Sequence, residues 1–185
     1  MRALIPIASL MLMLGCASIP PLDTTTISQT PASASQMAFA GRIVRVCSGL
    51  PDADRVMAAF EAMGHQVGRW RMIMGGGEEL VSPRQVSFER GDVIVQASET
   101  DCYVGVKGMT PEQSYQLAQP WVRHFGAITN AEAGQGLSPH VVQAWGGRPK
   151  GTPVVLIAAH KTWPWDRGEW PDVPGAAVTL WVSPR

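Results

Sequence analysis

Charge is scarce and evenly divided in this chain of 185 residues: Asp, Glu, Lys and Arg make up 16% of it, 15 of each sign, for a formal net charge of +0. No block of five or six like charges occurs. That speaks against nucleic-acid binding, because affinity for phosphate comes from concentrated Lys and Arg. The 3 cysteines form no CxxC, and none of the four histidines, His65, His124, His140 and His160, has a partner at i+4, so the usual zinc spacings are missing. There is no G-x-S-x-G elbow for a serine hydrolase. The glycine run 75–77 is followed by Glu78 and Glu79 instead of the Lys and hydroxyl of a phosphate loop, and two acids repel phosphate. No spacing of the acids marks a glycosidase pair. No internal repeat is found. No cofactor is expected, and nothing positive marks an enzyme.

What is present begins at the N-terminus. Arg2, an apolar run over 3–14 and the small Gly15 before Cys16 have the order of an export signal. The run is shorter than the ~20 residues needed to cross a bilayer. Residues 13–16, Met13, Leu14, Gly15 and Cys16, resemble the lipobox of bacterial lipoproteins, with Met13 where leucine is usual. The resemblance covers 1–16 and implies cleavage before Cys16, lipid on that cysteine and a mature chain of 185 − 15 = 170 residues. Ala17, not Asp, follows the cysteine, and by resemblance to the Gram-negative sorting rule this implies a lipid anchor in the outer membrane, facing the periplasm.

An oxidising compartment changes the meaning of the remaining cysteines. Cys47 and Cys102 are an even pair, for which a disulfide is the default; the alternatives are a buried free thiol or a reactive one. Residues 17–35 are rich in Ser, Thr and Pro and are expected to be a flexible tether, or else an arm lying on the domain.

A single α+β domain is expected over 36–185. Helices are predicted over 36–48, though 43–46 also suits a strand; after Asp52, with a stripe of Val56, Phe60 and Met63 ended by Gly64; and after Thr110. That third helix carries a capping box with Gln113, Pro111 at its first position, a stripe of Tyr115, Ala118, Trp121, Val122 and Phe125, a kink at Pro120 and an end at Gly126. From Gln85 the period becomes two, giving an antiparallel meander with Cys102, Val104 and Val106 on the inward face, where a helix carrying Cys47 packs. Strands are also predicted over 140–145, turning through Gly146 and Gly147, and over 153–159 and 177–182. The sum is an antiparallel sheet of about five or six strands packed against about three helices, stapled by Cys47 and Cys102.

Two stretches bear on function. Residues 47–50, CSGL, resemble the nucleophile motif of the NlpC/P60 cell-wall peptidases, and Pro83, Arg84, Gly91, Asp92, Val93, Val104, Gly105 and Val106 echo later motifs of that family. The resemblance implies a Cys47 nucleophile and a histidine base before the VG turn. Tyr103 stands there instead, and Pro51 interrupts the helix that should continue from the cysteine. The second stretch, TWPWDRGEWPDVPG, puts Trp163, Trp165, Arg167 and Trp170 in one presumed loop. It is read either as an aromatic platform for sugar, peptide or protein, or as a flap packing on the sheet with Arg167 stacked on a ring. His65 and His124 are placed at helix ends, where the dipole accounts for them. His160, at a strand end, is read as capped or solvated, or as meeting His140. The function expected is a non-catalytic envelope lipoprotein that binds an envelope protein or a cell-wall ligand, with the cysteine peptidase as the alternative.

Overall fold

The structure, a computed structural model, describes residues 31–69, 71–73, 79–126, 129–130, 141–149, 154–161 and 175–183. Helix α1 is Ala34–Cys47. Ser33 caps it and Gln36 closes the box, so the helix starts two residues before the expected boundary at 36. Gln36 Nε2 also donates to Asp92 Oδ2 at 2.7 Å, tying the first turn of α1 to the sheet. Phe39, Ala40, Ile43, Val44 and Cys47 form the buried stripe, the i, i+4 spacing of one helix face.

Helix α2 is Ala53–Ala62, capped by Asp52, whose carboxylate accepts from Arg55 N at 3.2 Å. Its buried residues are Val56, Met57 and Phe60. Met63, expected in the stripe, is instead 37% exposed beyond the last turn. Phe39 of α1 and Phe60 of α2 both pack edge-on to Phe88, at 6.4 and 6.1 Å, so the two helices run antiparallel about the turn at Gly49. A Cβ at Gly49 would lie 2.9 Å from Val56 Cγ2 and 3.2 Å from Val46 O, which is why the turn closes only on glycine.

Strands β1 (Arg71–Ile73) and β2 (Glu79–Val81) form a separate hairpin that the sequence reading did not anticipate. Next come β3 (Gln85–Arg90), β4 (Val93–Ser98) and β5 (Asp101–Lys107), the expected meander. Helix α3, Pro111–Phe125, has the predicted Thr110 and Gln113 capping box, Pro111 at its start and Gly126 at its end. Its buried face is Ser114, Leu117, Ala118, Trp121 and Phe125. Tyr115, placed in the stripe from sequence, is 43% exposed and leans on the Trp145 ring at 5.6 Å. After it lie the two-residue β6 (Thr129–Asn130), then β7 (Val141–Gly147), β8 (Val155–His160) and β9 (Gly175–Val182). Gly146 and Gly147 belong to β7 and pair with Leu156 and Val155, so the turn expected there is strand.

All pairings are antiparallel, in the order β3-β4-β5-β9-β8-β7-β6. The α+β fold and its helix count are those expected, with β6 added at one edge. Because side chains alternate across a sheet, the register sorts them into two faces. Val86, Val93, Val95, Ala97, Cys102, Val104, Val106, Val155, Ile157, Ala159, Ala176, Val178, Leu180 and Val182 form one face, joined in a single core with α1 and α3. Trp121, fully buried, locks the helix layer by donating from Nε1 to Val44 O at 2.7 Å, a carbonyl in the last turn of α1 that also accepts from Ser48 N at 3.0 Å.

Cys47 at the end of α1 is disulfide-bonded to Cys102 on β5, with Cα atoms 6.1 Å apart. The bridge closes a separation of 55 residues. The Cys47→Ala/Cys102→Ala double variant is expected to lose about 4 kcal/mol by the chain-entropy relation, read from the denaturation midpoint. Trp121→Phe should cost about 2 kcal/mol for the lost buried hydrogen bond and volume, with the disulfide intact.

Candidate functional site

The residues that resemble a peptidase nucleophile motif sit at the end of α1 and the turn into α2. Cys47 has no free thiol there, since its sulfur is joined to Cys102. Tyr103, at the position of the family's histidine, pairs across the sheet with Gln96 and Thr179, on the face opposite Cys102. Alternation alone turns that side chain away from Cys47, so even a histidine at 103 would be on the wrong side of the sheet. Burial at 3% exposure pushes the Tyr103 phenol upward and keeps it protonated.

Two clefts meet at Gly49. The first, of about 620 Å³, is lined by Gly49, Pro51, Asp52, Ala53, Asp54, Arg84 and Glu99. Arg84 Nε donates to Glu99 Oε1 at 2.7 Å and Nη2 to Asp54 Oδ1 at 2.6 Å, while Arg69 reaches Glu99 at 3.5 Å. The two acids therefore face a cation, and the hydrogen bond from Arg84 holds Glu99 below the usual carboxylate range. A general acid needs the opposite shift. The cluster joins the start of α2 to the start of β3 and the β4–β5 turn, and its charges satisfy one another.

The second cleft, of about 460 Å³, lies between α1 and α2 and is lined by Arg42, Arg45, Val46, Gly49, Arg55, Ala59 and Met63. Among the described residues no acid is in its wall. None of its three arginines forms an ion pair among the described residues; Arg42 shares the Phe39 ring with Arg90, the guanidiniums lying 5.3 and 4.9 Å from its centroid. Sequence inspection missed this cleft. Arg42 and Arg45 stand at i, i+3 on the exposed side of α1, but their approach to Arg55 depends on the hairpin.

The histidines do not assemble. His65 stacks on Phe88 at 3.5 Å, and burial, then Arg90, lowers its pKa, so a ring contact and not the helix dipole explains it. His124 is in the last turn of α3, edge-on to Phe125 at 5.0 Å. His160, read from sequence as a capped or solvated strand end, is buried, with Nε2 3.0 Å from Thr179 Oγ1. His140 lies outside the described residues, as do Trp163, Trp165, Arg167 and Trp170. Among the described residues no three His, Cys, Asp or Glu side chains converge as metal ligands. An aromatic that the sequence reading passed over is Trp181, 38% exposed on the second face of the sheet between Asp101 and Leu156.

Comparison with family models, with curated proteins and with solved structures finds no match.

Burial lowers the His160 pKa from 6.5 to about 4. The unfolded chain takes up that proton near 6.5 and the folded chain only near 4, so stability is complete above pH 6.5 and falls as the pH drops toward 4. The loss should total about 3 kcal/mol, and His160→Gln should remove that part of the slope in denaturation measured across this window.

Proposed function

We propose that this chain is a lipid-anchored envelope protein whose domain is a non-catalytic binding module. The observation that carries the reading is the Cys47 to Cys102 disulfide. A bond of that kind belongs to an oxidising compartment, which is where the lipobox at 13–16 would send the chain, and it occupies the one thiol that the peptidase alternative needs as a nucleophile. Ala32 N already donates to Gly108 O, and Ala32 packs on the core just before the Ser33 cap, so the residues between Cys16 and Ala32 are the ones available to span from a lipid anchor to the domain. By the sorting rule, Ala17 favours the outer membrane, facing the periplasm. The binding partner is an envelope protein or a cell-wall ligand. Its contact surface is drawn from the α1–α2 groove and from the stretch with Trp163, Trp165, Arg167 and Trp170.

Cys16→Ser should abolish palmitate labelling and release the protein from membranes; retention of both would sink the anchor. In the exported protein Cys47 and Cys102 should resist alkylation until reduced. Ready labelling of Cys47 without reductant would restore the peptidase.

A further inference from the structure

We propose that the groove between α1 and α2 holds a single-chain anionic amphiphile, an acyl chain ending in a carboxylate or phosphate. This deepens the binding-module reading and rests on it. On α2, Arg55, Ala59 and Met63 recur at i, i+4 and i+8, so they lie in one line along the helix. On α1, Arg42, Arg45 and Val46 form the facing wall. Arg55 borders the Gly49 end, its Cδ 3.9 Å from the position a Gly49 Cβ would occupy, while Arg45 Nη1 lies 3.8 Å from the position a Gly41 Cβ would occupy, further back along α1. Met63 lies at the far end, 37% exposed. Cations thus border the groove along its α1 wall and at its Gly49 end, and its floor of Val46, Ala59 and Met63 is apolar.

The chemistry of the wall selects the occupant. Guanidinium forks recognise phosphate and carboxylate through two parallel hydrogen bonds. The acids of α2 do not compete for them: Asp52 caps the helix, Asp54 holds Arg84, and Glu61 projects about 200° around the helix from Ala59. Three cations without an ion-pair partner among the described residues are a local excess that an anion completes. From Arg55 to Met63 the groove is about 12 Å long, two helical turns. That is too short to seat a partner helix over the ~800 Å² per side of a stable protein interface, whereas about 460 Å³ is within the usual range of small-molecule sites. The concave apolar floor suits one acyl chain better than a flat bilayer surface.

The test uses the complete mature chain with Cys16→Ser, secreted behind a cleavable signal without a lipobox, so that the disulfide forms and no attached lipid competes for the groove. Dodecyl phosphate, below its micelle concentration, is titrated by calorimetry. One molecule should bind, less tightly as salt rises. Each of Arg42→Gln, Arg45→Gln and Arg55→Gln should weaken it roughly tenfold, the worth of one charge-assisted hydrogen bond. Ala59→Trp, which fills the groove and leaves every charge in place, should abolish binding, and dodecyltrimethylammonium should not bind at all. Circular dichroism and resistant thiols identify folded variants. The proposal is overturned if the triple arginine variant or Ala59→Trp binds like the parent, if anionic vesicles or an acidic peptide bind while the monomeric probe does not, or if nothing binds. In these last cases the palmitate and thiol results still stand on their own, so the amphiphile falls without the binding-module reading.

Discussion

The bond between Cys47 and Cys102 is the constraint on which the remaining architecture depends. It fixes the last residue of α1 to the middle strand of the β4-β5-β9 group, on the face that carries Val104 and Val106. From that point the layer is built outward. Trp121 reaches Val44 O one turn back from the bridge and brings α3 against α1, and α3 in turn covers β8 and β9. The same bridge terminates α1 beside Gly49, whose lack of a side chain lets α2 fold back. A covalent staple, one indole hydrogen bond and one glycine together set the helix layer over the sheet.

Charge is used in two ways on the surface that results. Around Arg84 the acids and the guanidinium satisfy one another, and the consequence is mechanical: the start of α2 is tied to two points of the sheet. Such partly exposed pairs stabilise by little, about 0 to 1 kcal/mol, so their role is to orient. Across Gly49 the arrangement reverses, with three arginines lining an apolar groove that has no acid in its wall among the described residues. Neighbouring clefts of similar size thus have opposite electrostatic states, one closed on itself and one open to an anion.

Much of the fold was legible because local signals and tertiary needs agree. The capping box at Thr110, the period of two from Gln85 and the apolar run of β8 each announce their element. The errors follow from tertiary context. Gly146 and Gly147 look like a turn, yet pairing with β8 keeps them extended, and a Cβ at 146 would approach Leu156 Cδ2 to 3.0 Å. Tyr115 and Met63 satisfy a helical period but fall at the edge of the buried face, where an apolar residue need not be covered. His160 looked like a solvated strand end, and nothing local to it signals that Thr179, 19 residues on in the neighbouring strand β9, would become its partner.

The sequence by itself determined the three helices and the main strands of the sheet, their approximate ends, and the cysteines at 47 and 102 that bridge. These are properties of neighbouring residues, or of composition, and need no knowledge of what packs where. The tertiary structure decided which side of the sheet each strand residue faces, turning Tyr103 away from the cysteine beside it in sequence, because the pleat assigns successive residues to opposite faces. It also decided that Arg42, Arg45 and Arg55 share a groove. Helical spacing brings the first two together, but the third joins them only when α2 folds back antiparallel on α1, and that depends on the packing of Phe39, Phe60 and Phe88 around the turn.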